Sequence, residues 1–322
     1  MPEFLENAIM KNDHVYVDKG LNQFEPVPAN SVNEALQTGL MIACLHKSVE
    51  TVKVFLKKST PLKNDDPSFC NVNHADAAGS TALHFAVKSG SFECVNLLIE
   101  HGANTNAATD KNATPLHLAA QHNRFEIVRC LMENHAKVNA NTDKCETPLH
   151  LAAENNCFEI VKFLMDNQAD INARTNKNET PLHMAAQNNC FEIAQLLIEH
   201  KAEIDSTTTR DETALFLATV SNHPDIVKML AKNGCPVQTK AWSDFDIYES
   251  KSMTALEFAV NQNFVETAVC LLCHLSVTKE LGERELRELF PKAAKEGLTN
   301  IANELIIHGA DVNSCIGINL NV

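Results

Sequence analysis

Glycine is scarce in this chain of 322 residues, at 10, although turn-rich folds ordinarily lean on it for left-handed backbone. Aromatic side chains are also few, with one Trp, two Tyr and 15 Phe. Basic charge is outweighed, with 27 Lys and Arg against 41 Asp and Glu for a net charge of −14. Duplex nucleic acid and anionic bilayers would on average repel such a surface, so neither is expected as a partner. No run approaches the roughly 18 apolar residues of a membrane-spanning helix. The start, Met1-Pro2-Glu3-Phe4-Leu5-Glu6-Asn7, lacks the basic and apolar regions of a secretory signal. The expectation is a soluble, cytoplasmic monomer. The 11 cysteines are odd in number and scattered, which favours reduced thiols over a disulfide framework. Catalytic signatures are missing too: there is no P-loop, no G-x-S-x-G and no HExxH. Neither catalysis nor a cofactor is expected.

What the chain does have is 44% hydrophobic residues, ample for a core, abundant Asn at about a tenth of its length, and a repeat. The tetrapeptides Thr81-Ala82-Leu83-His84, Thr114-Pro115-Leu116-His117, Thr147-Pro148-Leu149-His150, Thr180-Pro181-Leu182-His183 and Thr213-Ala214-Leu215-Phe216 recur every 33 residues. Each is followed by a stretch such as Phe125-Glu126-Ile127-Val128 or Phe158-Glu159-Ile160-Val161, and then by an ending such as Ala136-Lys137-Val138-Asn139-Ala140. Each unit reads as a short helix after the Thr, a turn at the Asn pair, a second helix of apolar spacing, and a polar extended segment. Neither helix buries its apolar face alone, so stacked units form an all-α solenoid.

At these residues the chain resembles the ankyrin repeat family, closely over residues 81–233. Looser copies begin at Thr38 and Thr254, and a last unit ends in His308-Gly309-Ala310-Asp311-Val312-Asn313. The resemblance implies about eight helix-turn-helix repeats with β-hairpin-like fingers, the outer ones serving as caps. It also implies one repeat domain over 31–322, finger insertions near 64–73 and 238–252, and an N-terminal extension over 1–30. That extension is poorly specified, either a short extra helix or loose chain. Ser31-Val32-Asn33-Glu34 spells a capping box and so predicts a helix start.

The family's finger glycine stands here as Gly79, Asn112, Cys145, Asn178 and Asp211, and its inter-helix glycine as Asn123, Asn156 and Asn189. Asn and Asp tolerate the left-handed backbone expected there, whereas Cys145 does so less readily and predicts a distorted finger.

Several chemical motifs dissolve in the repeat frame. Cys270-Leu271-Leu272-Cys273-His274 spells a haem attachment site, but Cys270 falls in register with Cys130 of an ordinary second helix. His84, His117, His150 and His183 recur once per unit. Family units stack about 10 Å apart, too far for two imidazoles to share a zinc bonded at about 2.0–2.1 Å. They read as structural histidines bonded to the adjoining loop, and no metal is expected.

Family members bind proteins through finger tips and the concave first-helix face, and the resemblance carries that function to the corresponding positions here. They are the basic column Lys111, Lys144, Lys177 and Arg210, the acidic row Glu146, Glu179 and Glu212, and the helix-face residues Gln121, Glu154 and Gln187, preceded by Lys88. The plainer reading of these rows is a solvated surface whose charges offset one another. Trp242, Phe245 and Tyr248 in the second insertion either anchor a partner or fold back as a plug. Asn106, Asn139 and Asn172 resemble the positions at which asparaginyl hydroxylases modify ankyrin repeats; otherwise they tie down the turn. The composition resembles that of ankyrin effectors delivered into a host cytosol by intracellular bacteria, with Glu280 to Glu288 as a faint translocation signal. The alternative role is a stoichiometric inhibitor or regulatory subunit masking an enzyme or transcription factor.

Overall fold

A threonine opens most of the helical hairpins, and its backbone shows why. Thr114 and Thr147 stand at φ −95°, ψ 165°, extended rather than helical, so that their side chains can turn back onto the first turn. Pro115, Pro148 and Pro181 follow at the first helical position, where a missing N–H costs nothing. The computed structural model describes residues 3–22, 30–57, 70–242, 252–279 and 281–315. The chain forms two compact units, Met1–Asp170 and Ile171–Val322.

The first unit holds α1 (Glu3–Met10), α2 (His14–Asn22), α3 (Gly39–Leu45), α4 (Val49–Leu56), α5 (Ala82–Ser89), α6 (Phe92–Glu100), α7 (Pro115–Gln121), α8 (Phe125–Glu133), α9 (Pro148–Glu154) and α10 (Phe158–Asp166). The second holds α11 (Pro181–Gln187), α12 (Phe191–Glu199), α13 (Ala214–Val220), α14 (Pro224–Lys232), β1 (Ala241–Trp242), β2 (Ser252–Met253), α15 (Ala255–Asn261), α16 (Val265–Thr278), α17 (Glu283–Lys295) and α18 (Thr299–Ile307). Within each unit the odd-numbered helices pack on one another in chain order and the even-numbered helices do the same. The result is an all-α solenoid of stacked hairpins. Its interior is a line of fully buried Leu83, Leu116 and Leu149 from first helices and Leu98, Leu131 and Leu164 from second helices. Each such side chain contributes about 1.5–3 kcal/mol by leaving water. Buried Ala119, Ala120, Ala152 and Ala153 keep neighbouring backbones close.

Among the described residues there are nine hairpins, one more than the repeat count predicts. The ninth is α1 with α2, in the segment read as an extension. Leu5, Ile9, Val17 and Leu21 are buried there, and the pair packs on α3 and α4. Gly39 opens α3 because a Cβ at that point would collide with the Phe55 ring.

The predicted helix start at Ser31 is corrected. Asn33 Oδ1 accepts from the amides of Ala35 and Gln37, and Val32 bridges Thr38, so this segment is a finger turn. The helix starts only after Thr38, whose hydroxyl accepts from Met41 N. The distortion expected at Cys145 is absent: it takes φ +60° beside 56° for Asn112, 64° for Asn178 and 60° for Asp211. Every inter-helix turn also passes through positive φ, at Asn12, Lys47, Gly90, Asn123, Asn156, Asn189, Asn222, Asn263 and Gly297. Residues 283–288 of the acidic stretch begin α17, with Leu286 buried.

Candidate functional site

Each finger is built by one side chain. Thr142 N donates to Glu146 O (3.0 Å), Cys145 N to Thr142 O (2.8 Å), and Thr142 Oγ1 accepts from Lys144 N and Glu146 N. Thr109, Thr175 and Thr208 repeat the closure, and Asp76 performs it with its carboxylate toward Ala78 N and Ser80 N. The turn residue must then enter left-handed backbone, which Asn, Asp and Gly allow.

Successive tips are tied by one backbone bond. In the first unit Asp110 N donates to Ala78 O and Asp143 N to Lys111 O, each at 3.0 Å; in the second, Thr209 N donates to Lys177 O at 2.9 Å and Trp242 N to Arg210 O at 3.0 Å. The tips therefore stand at fixed spacing within each unit. Lys111, Lys144, Lys177 and Arg210 are all exposed at them.

The acidic row behaves differently from the basic column. Glu146, Glu179 and Glu212 are half-buried, and each carboxylate accepts from the hydroxyl of its own turn threonine at 3.2, 3.2 and 2.9 Å. Those acids brace the finger. Gln121, Glu154 and Gln187 are exposed at the ends of α7, α9 and α11. A hollow of about 670 Å³ in the first unit brings Lys111 and Gln121 together with Lys88, Phe85, Leu118 and His122. Phe85 and Leu118 were not singled out from the sequence. Their signal was an apolar residue directly after the structural histidine, on the side of the helix that turns away from the core.

The histidines are held as expected. His117 Nδ1 accepts from Thr114 N (3.1 Å) and lies 2.8 Å from its hydroxyl, while Nε2 reaches Glu146 O in the next finger at 3.0 Å. His84 does the same with Thr81 and Ala113, and His183 with Thr180 and Glu212. Burial pushes the His84 and His117 imidazoles below the usual histidine range.

Asn106 and Asn139 bridge neighbouring hairpins. Asn106 Nδ2 donates to His135 O and its Oδ1 accepts from Lys137 N; Asn139 Nδ2 donates to Gln168 O and its Oδ1 accepts from Asp170 N. Asn172 Oδ1 accepts from Glu203 N at 2.9 Å. Trp242 is 48% exposed beside the ladder that pairs Ala241 with Met253 and its own backbone with Ser252. Phe245 and Tyr248 lie outside the described residues. Cys270, Cys273 and His274 lie on α16, and among the described residues no three His, Cys, Asp or Glu side chains are grouped to hold a metal ion. Nor is any described helix long and apolar enough to cross a membrane.

Comparison with known proteins adds two findings. A family model described as ankyrin repeats, in three copies, matches residues 5–109, 106–175 and 149–241. The crystal structure of the human ASB11 ankyrin repeat domain is similar at a TM-score of 0.63 and 25% identity, over 73% of this chain and 99% of that one. No curated protein matches the chain.

Proposed function

The chain belongs to the ankyrin-repeat family, and from that premise we propose that it is a non-catalytic module that binds a partner protein through its finger tips and first-helix face. The observation that carries this reading is the contrast at the tips: backbone bonds fix their spacing, the half-buried acids brace their own turns, and the cations stand exposed, with Lys144 Nζ 4.0 Å from Glu146. A preformed, semi-rigid row of cations beside a part-apolar hollow loses little freedom on binding. Exposed Trp242 supports a further anchor at the edge of the second unit. Asn106, Asn139 and Asn172 remain candidate hydroxylation positions, and modification there would act on side chains that already join hairpins.

Affinity capture from lysate with the wild-type chain, Lys111→Glu/Lys144→Glu and Trp242→Ala tests the proposal. Recovery of a defined partner that falls at least tenfold with the lysine pair, at unchanged helicity and melting, is expected. Unchanged recovery would overturn the assignment of the tips. The finer roles separate in the same experiment. Capture of a multi-subunit complex from host lysate supports an effector acting as an adaptor, the reading suggested by the composition. An enzyme or transcription factor that loses activity on stoichiometric addition supports the inhibitor reading.

A further inference from the structure

Along the outer ridge four consecutive second helices, α6, α8, α10 and α12, follow a rule that α14 breaks; α4 carries Lys53 and Lys57 in the same register, but Lys53 is paired with Glu50 and Glu93. At the last position of these helices stand Glu100, Glu133, Asp166 and Glu199. Where the residue one turn earlier is Asn96, Arg129 or Gln195, it engages that acid: Asn96 Nδ2 donates to Glu100 Oε1 at 2.7 Å, Arg129 Nε lies 3.9 Å from Glu133, and Gln195 Nε2 donates to Glu199 Oε1 at 2.9 Å. In α14 the acid is replaced by Lys232 and the earlier residue is Lys228. Both are exposed, and neither forms an ion pair among the described residues. In α16 the two register positions become Val269 and Cys273.

A hollow of about 400 Å³ opens between these helices, and Lys228 and Lys232 are its only charged lining. Its other wall is the stripe Val269, Cys273 and Val277, with Cys270 and the imidazole of His274 beside it. Helix α16 runs for 14 residues against nine in α14, and the overshoot carries Val277, which is 83% exposed. No Asp or Glu lines this hollow; Glu199 and Asp225 line the neighbouring hollow on the α12 side, which Lys228 and Lys232 also border.

We propose that this trough is a second docking surface, separate from the finger tips, and that it takes an acidic amphipathic helix of a partner protein. The apolar side of that helix lies along Val269, Cys273 and Val277. Its carboxylates, four residues apart, meet Lys228 and Lys232, which share that spacing and so stand about 5–6 Å apart on one wall. A single lipid carboxylate would engage one of the two cations, whereas a helix flank engages both. The local inversion of charge, in a chain of net charge −14, gives the surface its selectivity.

The test uses the full chain and two fluorescent synthetic peptides, each an amphipathic helix with leucine at every third or fourth position. One has Glu along the flank of its apolar face and the other has Lys there. Saturable anisotropy is expected with the Glu peptide alone. Its Kd should rise at least tenfold in Lys228→Glu/Lys232→Glu and in Val277→Asp, all exposed positions, and stay unchanged in Lys111→Glu/Lys144→Glu. Equal binding of both peptides, no saturable binding of the Glu peptide, or indifference to the α14 pair would overturn the proposal. Sedimentation of the chain with phosphatidylserine-containing vesicles, lost in the α14 pair, would overturn it in favour of a lipid surface. Concentration-dependent dimerisation lost in the same pair would overturn it in favour of a second copy.

Discussion

Cys145 and Asn112 occupy the same place in neighbouring fingers, and both take left-handed backbone, at φ +60° and +56°. For a side chain without local hydrogen-bonding help that conformation costs roughly 1–2 kcal/mol. Asn112 offsets part of it, because its Nδ2 donates to Asp143 Oδ1 at 2.6 Å. Cys145→Gly should therefore raise stability by about 1 kcal/mol in urea denaturation, after allowance for the greater freedom of glycine in the unfolded chain, whereas Asn112→Gly should be close to neutral. An unchanged midpoint for Cys145→Gly would show that the turn stores no strain. The bridging asparagines make the opposite prediction. Removing the side chain of Asn139 loses its bonds to Gln168 O and Asp170 N at once, both at the exposed surface, so Asn139→Ala should lower stability by about 0.5–1.5 kcal/mol. The same denaturation series reads that loss directly.

At the level of the element, the Thr-x-x-His hairpin start is a proton-sensitive joint. Thr114 N can only donate, so Nδ1 of His117 is the bare nitrogen and Nε2 carries the hydrogen toward Glu146 O. Protonation would place a hydrogen on Nδ1 against that donor, inside the core. Burial likewise lowers the His84 and His117 pKa values below their unfolded value of about 6.5. The unfolded chain then binds protons that the folded chain refuses. Stability is fully present above about pH 6.5 and is lost as pH falls below it, by about 1.4 kcal/mol per pH unit for each histidine until its folded pKa is reached. Urea midpoints taken from neutral pH downward should show that slope, and His84→Gln/His117→Gln should be weaker at neutral pH but flatter. An identical slope in the variant would place the acid sensitivity elsewhere. These joints were legible in the sequence because Thr, Leu and His recur in frame and each carries a local rule. The finger at Asn33 was not, since Ser31 to Glu34 spells a helix cap equally well and only the bridge from Val32 to Thr38 decides between them. The N-terminal hairpin escaped for a related reason: Leu5, Ile9, Val17 and Leu21 have helical spacing but no capping tetrapeptide to frame them. At the candidate site the basic column was legible from its 33-residue register. The bracing of Glu146, Glu179 and Glu212 depends on how each carboxylate meets its turn threonine, and the hollow between α14 and α16 depends on two elements 41 residues apart in register, so neither was.

Across the whole molecule, stability is the sum of hairpins and of the faces between them. In the first unit α7 and α8 bury both faces, against α5 and α9 and against α6 and α10, while α1 and α2 have neighbours only in α3 and α4. In the second unit α17 and α18 meet α15 and α16 on one face, and on the other α17 meets only the short 3-10 turn Val312–Cys315 among the described residues. A hairpin with one partner face has about half the apolar burial to hold it closed, so local opening there falls well short of global unfolding. Hydrogen exchange read by mass spectrometry should show amides of α1, α2, α17 and α18 exchanging far faster than those of α7 and α8. Leu116, fully buried in α7, sharpens the test. Leu116→Ala should cost about 2–5 kcal/mol and, by loosening a hairpin with two neighbours, should accelerate exchange in α5 and α9 as well. Uniform exchange along the chain, or acceleration confined to α7, would mean that cooperativity does not pass from hairpin to hairpin. The proposed recognition through Lys111 and Lys144 would then rest on the backbone bond between their tips alone.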